Sequence, residues 1–125
     1  MIATNIDQSK NLVKLGLDPS TADMCYIREQ WLDDETDKVE EGWSEFPVAK
    51  VDDDKEIPQP IILPSWTLSA LLSLIPEVHL QQRTNSYKTY YHCTIPVYDA
   101  IGDTAIDAAY EVILFMIKYK YIKTV

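Results

Sequence analysis

Asp107 and Glu111 stand four residues apart in a segment of helical periodicity, the spacing by which two carboxylates can share a metal ion or a proton. Their surroundings favour a plainer role. Both fall on the polar stripe of that helix, and Asp107 lies in its first turn, where the positive end of the helix dipole welcomes a carboxylate. The thiol and imidazole groups are Cys25, Cys93, His79 and His92. A zinc site needs four such ligands at short paired spacings, and adjacent strand residues such as His92 and Cys93 point to opposite faces. Nucleophilic catalysis needs a serine or cysteine beside a histidine, and no spacing here pairs them. Cys93, in a β-prone stretch, reads as a small buried apolar side chain. Asp33, Glu35 and Asp37 match the first three ligand positions of an EF-hand. The match fails at Lys38, where glycine must make the sharp turn, and at Ser44, where a bidentate glutamate belongs. Phosphate loops need clustered glycines, and Gly16, Gly42 and Gly102 are far apart. No catalytic, cofactor or metal-binding residue is expected.

The charge distribution is more informative. Between Asp33 and Glu56, eleven carboxylates face three lysines, a local charge of −8 within a total of −9. The other 101 residues are therefore nearly neutral, and the chain reads as a balanced domain with an acidic insertion at about 33–56. Val39, Trp43, Phe46, Val48 and Val51 are spaced through that insertion, unlike a disordered acidic tail, which is poor in aromatics. The expectation is an irregular loop or short hairpin pinned to the body by Trp43 and Phe46. Its carboxylates Asp33, Asp34, Glu35, Asp37, Glu40, Glu41, Asp52, Asp53 and Asp54 are the candidate partner-binding residues, matched to a basic protein. Arg83 and Lys88 lie among Tyr87, Tyr90, Tyr91 and Tyr98, a pattern that can stack bases and hold phosphates. Two cations on a chain of net charge −9 make poor nucleic-acid recognition, so these tyrosines are expected to pack a half-buried sheet and no nucleic-acid partner is expected.

The elements that must carry these residues follow from periodicity and punctuation. At 125 residues with 46% hydrophobic content, one domain with its own core is expected. The N-terminal stretch lacks the apolar centre of a signal peptide, and the longest apolar run, Val112 to Ile117, is too short to span a bilayer. With two widely separated cysteines read as thiols, this suggests a soluble cytoplasmic protein. A first helix is expected over Ile6–Leu15, closed by Gly16 with Leu17 packing back on Leu12. Asp18-Pro19 starts another turn. Met24–Leu32 is a candidate strand, and the prolines of Ile57–Pro64 impose an extended path. A helix between Pro64 and Pro76 is expected to begin at Ser65, with Trp66, Leu71, Leu72 and Ile75 facing inward. Val78–Ile95 reads as a hairpin turning at Thr84-Asn85-Ser86. The last helix, Ala105–Tyr119, is capped by Thr104 in a variant capping box with Asp107. It is apolar around most of its girth, which requires cover on two sides, either from the acidic insertion or from a second copy in a homodimer.

Three segments carry a resemblance: Thr21-Ala22-Asp23-Met24, the stretch from Pro64-Ser65-Trp66-Thr67-Leu68-Ser69-Ala70-Leu71-Leu72 to Pro76, and Asp103-Thr104-Ala105-Ile106-Asp107-Ala108. With them the chain resembles small uncharacterised proteins of Bacteroides-type gut bacteria found in prophage and other mobile-element contexts. That resemblance implies no activity and no catalytic residue. The expected fold is α+β, a small antiparallel sheet with packed helices in a single domain. The expected function is a non-enzymatic binding or accessory protein of a bacterial or phage system. The alternatives are a charge mimic of nucleic acid and a small enzyme whose site is not visible in the sequence.

Overall fold

The structure is a computed structural model that describes residues 2–49 and 62–125. Its first helix, α1, spans Ile6–Lys14 and is fixed at both ends. Asn5 and Gln8 form a reciprocal capping box, the Asn5 side chain on the Gln8 N–H and the Gln8 side chain on the Asn5 N–H. At the other end Gly16 takes φ +90°, Leu17 N–H returns to the Leu12 carbonyl at 3.0 Å, and Leu12 and Leu17 are both buried. This is the glycine closure that the sequence predicts. Asp18 then caps a short 3₁₀ turn, Pro19–Thr21, by accepting from Ser20 N–H.

Strand β1, Met24–Leu32, organises the first sheet. Its N-terminal half pairs antiparallel with β3 (Val48–Ala49) and with β4 (Ile62–Ser65). Its C-terminal half pairs only with β2 (Val39–Trp43) among the described residues, in the register Arg28–Trp43 to Leu32–Val39. The second sheet runs β5 (His79–Thr84), β6 (Thr89–Ile95), β7 (Tyr98–Gly102), all antiparallel. The β5–β6 hairpin is as expected, with the turn at 85–88 tied by the Asn85 side chain to the Tyr87 and Lys88 N–H groups. Strand β7 was not anticipated. Two short antiparallel sheets and packed helices make one α+β domain.

Helix α3, Ala105–Lys118, begins at Thr104, whose hydroxyl accepts from Asp107 N–H at 3.0 Å. The Asp107 carboxylate is taken by the Gln8 amide of α1 at 2.8 Å. Among the described residues, this helix takes much of its cover from the chain's own helices and second sheet. It packs on β6 and β7 on one side and on α2 (Leu68–Ser73) on another, and the Asn11 amide of α1 donates to Tyr110 Oη. Ile106, Ala108, Ala109, Val112, Ile113 and Met116 are all buried by the chain itself. A central helix with neighbours on several sides can be apolar around most of its circumference. Val112 and Met116, two residues of the face expected to need cover, are thus buried within the chain.

Helix α2 starts later than expected. Thr67, not Ser65, is its N-cap, accepting from Ala70 N–H. Ser65 ends β4, opposite Met24, and its buried hydroxyl finds no partner among the described residues. Trp66 therefore precedes the helix, yet it is fully buried in the core with Leu71, Ile75 and Ile113. An unpartnered hydroxyl costs about 1–3 kcal/mol. Burying even one large apolar side chain gains about as much, so a core of this size carries the defect.

Two of the three resemblance segments meet at this joint. Trp66 Nε1–H donates to Thr21 Oγ1 at 2.9 Å, and Asp23 receives both the Thr67 N–H and the Thr67 hydroxyl. Thr4 completes it, accepting from Trp66 N–H with its hydroxyl and from Tyr26 Oη–H with its carbonyl. The joint is thus a polar lock between N-terminus, β1 and α2, buried at Thr4 and Trp66 and exposed at Asp23, and its residues are engaged with one another.

Candidate functional site

The expected partner-binding residues that the structure describes lie on one feature. Along β1, burial falls from Cys25 and Tyr26, both buried, to Arg28–Leu32, all exposed. The β1–β2 ribbon therefore leaves the body. Asp33 N–H bonds to the Lys38 carbonyl, closing a loop of Asp34, Glu35, Thr36 and Asp37. Asp33 Oδ1 accepts from Glu35 N–H, and Asp37 adopts φ 53°, a conformation that aspartate tolerates better than most residues. Two of the acids thus shape the turn that presents the others.

Register sorts the ribbon into two faces. On one, Leu32 opposes Val39, Gln30 opposes Glu41, and Arg28 opposes Trp43. The Arg28 guanidinium pairs with Glu41 at 2.9 Å and lies 5.4 Å from the centre of the Trp43 ring, while the Gln30 amide donates to the other Glu41 oxygen. Those contacts stiffen the ribbon near its base. The Arg28 hydrogen bond, then that of Gln30, lowers the Glu41 carboxyl below the ordinary glutamate range. On the other face Trp31 opposes Glu40 and reaches diagonally over Gly42, where a β-carbon would stand only 2.8 Å from the indole. Trp31 stays 49% exposed, Leu32 58% and Val39 65%. Asp33, Asp34, Glu35, Asp37 and Glu40 form no ion pair among the described residues.

Phe46 corrects the expectation that it pins this region. It is 69% exposed, and only Trp43 of the expected pair is partly buried. Its carbonyl accepts from Ser44 Oγ, which also receives Ile27 N–H, so the Ser44 hydroxyl rather than the phenyl ring holds this corner. Asp52, Asp53 and Asp54, with Ile57–Ile61 of the expected extended segment, lie outside the described residues.

No protein-family model matches this chain, and neither does a curated protein or a solved structure.

Sequence reasoning missed one polar pair. On the outer face of the second sheet, His92 Nε2 lies 2.7 Å from Asp99 Oδ2. Asp99 was not placed because β7 was not foreseen between Pro96 and Gly102. The alternation of Tyr98, Asp99, Ala100 and Ile101 was the available signal. A carboxylate can orient an imidazole for proton transfer, but the neighbouring Cys93 is on the opposite face and fully buried, and burial raises its thiol pKa. No His92–Cys93 dyad exists. Among the described residues no three His, Cys, Asp or Glu side chains gather to hold a metal, and no helix is long and apolar enough to cross a membrane.

Proposed function

We propose that this chain is a non-enzymatic binding or accessory protein whose β1–β2 ribbon docks on a basic protein surface. The observation that carries the reading is the ribbon's combination of exposed Trp31 on one face, and Leu32 and Val39 on the other, with carboxylates that lack ion-pair partners among the described residues. Leaving such side chains in water gives up roughly 25 cal/mol per Å² that a partner's surface would recover. The surrounding acids select a cationic partner and speed its approach. The Arg28–Glu41–Gln30 contacts favour a ribbon already ordered before binding, which reduces the entropy lost on association. A bacterial or phage setting rests on the resemblance of the three segments named above. A charge mimic of nucleic acid is the weaker reading, because exposed indole and aliphatic groups interrupt the acids and Arg28 neutralises Glu41.

The test uses a synthetic peptide of alternating lysine and tyrosine as a cationic probe, with association rates measured on the full chain at low and high salt. Neutralising the tip (Asp33→Asn, Asp34→Asn, Glu35→Gln, Asp37→Asn, Glu40→Gln) should slow association by roughly tenfold at low salt. Asp52→Asn, Asp53→Asn and Asp54→Asn, which add to the same stretch of charge in sequence, should slow it further while the melting temperature holds. Unchanged rates in these variants would leave the acids with a solubilising role only.

A further inference from the structure

The second sheet has an edge that is unpaired among the described residues. Strand β5, six residues from His79 to Thr84, is bonded there to β6 alone. Helix α3 packs on β6 and β7, and from Gln81 to Thr84 the side chains on both faces of β5 are exposed. The strand stands clear of the body along that stretch. Its hydrogen-bonding phase is set by the turn. Asn85 N–H donates to the Lys88 carbonyl at 3.0 Å, so the Asn85 backbone faces β6. By the alternation of an antiparallel ladder, Arg83, Gln81 and His79 face β6 too. The N–H and C=O groups of Leu80, Gln82 and Thr84 therefore point away from it. Exposed edges are commonly blunted by proline or by charge. Strand β5 has no proline and no carboxylate, whereas β2 carries Glu40 and Glu41 and β7 carries Asp99.

We propose that β5 pairs antiparallel with β5 of a second copy of the chain, joining two three-stranded sheets into one. Register identifies the occupant. A two-fold axis normal to the sheet at Gln82 sets Gln82 against its own copy and Leu80 against Thr84 of the second copy. Every outward backbone group of these residues then has a partner. The same axis keeps like faces together, and on the outer face it brings Gln81 opposite Arg83 of the second copy. Within one chain the Arg83 guanidinium already donates to Gln81 Oε1 at 2.9 Å, so the pairing repeats a contact the strand makes by itself. No like charges stand directly opposite. The corresponding pairing of β2, centred on Glu41, would set that carboxylate against its own copy. The contact is isologous and closes at two copies. One strand pair buries less than the roughly 1,200 Å² of a stable interface, so the dimer is weak. It does not depend on the reading of the ribbon.

Sedimentation of the full chain should show a mass that rises towards twice the 14.4 kDa monomer as concentration increases. Added salt should strengthen the association, because it screens two chains of net charge −9 and two Arg83 side chains placed diagonally across the axis. Binding of a cationic probe by the ribbon weakens with salt, so the two contacts are told apart by sign. Gln82→Pro is the sharpest variant. It deletes an N–H that faces away from β6 and leaves the ladder within the chain whole. It should weaken the dimer by roughly tenfold or more while the β5–β6 hairpin persists. Gln82→Lys keeps the backbone intact but sets two lysines against each other, and should weaken the dimer as well. Amide hydrogen exchange reads the register. Protection at Leu80, Gln82 and Thr84 should grow with protein concentration, while Gln81 and Arg83, already bonded to β6, hold steady. A chain that stays monomeric, or a dimer that both Gln82 variants leave unchanged, overturns the proposal. Protection of the same three amides by an alternating valine–threonine peptide, on a chain that remains monomeric, overturns it in favour of a foreign strand.

Discussion

Trp66 and Trp31 put the same side chain to opposite uses. Trp66 has no exposed surface, its N–H is taken by Thr21, and its backbone is bonded on both sides to Thr4. Trp31 lies half in water across Gly42, on a strand that has already left the core. The contrast extends to the charges. The body ties Asp23 into the start of α2 and Asp107 to α1, whereas the ribbon leaves five carboxylates without ion-pair partners among the described residues. Stability therefore resides in the α1–α2–α3 joint and its sheet, and the ribbon is an appendage that the body supports without depending on it.

The largest expected effect sharpens that division. Trp66→Ala should cost about 3–5 kcal/mol, because it removes a fully buried ring together with the bond it donates to Thr21. Trp31→Ala should stay within about 0.5 kcal/mol of wild type. Chemical denaturation of both variants compares them directly, and equal losses would break the distinction. The glycines repeat the contrast at smaller scale. A β-carbon on Gly102 would stand 2.5 Å from Ala108 N, a backbone atom of α3 that cannot move aside, so Gly102→Ala should cost about 1–3 kcal/mol. On Gly42 the obstacle is the far end of the Trp31 indole, which can swing into solvent. Gly42→Ala should therefore leave the melting temperature almost unchanged and make Trp31 fluorescence more water-like.

These contrasts also mark what could be read from the residues in order. The Gly16 closure, β1, the Thr104 cap and the β5–β6 hairpin were legible because each depends on local chemistry or a clear period. The start of α2 was not. Ser65 and Thr67 are both acceptable caps, and the choice is made by partners far away in sequence: β1 claims Ser65 as a strand residue, and Asp23 clasps Thr67. Strand β2 was hidden because Val-Glu-Glu-Gly-Trp has little intrinsic strand preference, and pairing with β1 overrides it. The acidic ribbon was visible as charge, but its exposed Trp31 was not. A tryptophan within a strand reads as core until the burial of its neighbours is known.

The smallest effect concerns the ribbon's own order. The Glu41 carboxyl is held below its ordinary range by Arg28 and Gln30, so its contribution is present above the unfolded glutamate pKa. It is lost as pH falls through the lower folded value. The Glu41 carboxyl chemical shift followed during an acid titration should show it protonating below the ordinary glutamate range. Arg28→Met should raise that midpoint and leave the body's melting temperature unmoved.

The most direct test of the ribbon as a contact surface is a single NMR titration of the full chain with the lysine–tyrosine peptide at low ionic strength. Amide shift changes should concentrate at residues 28–43 and fade as salt is added, while the core amides of α3 and β6 stay in place. Changes centred on the outer face around His92, or no change in the ribbon while the peptide binds elsewhere, would contradict the account.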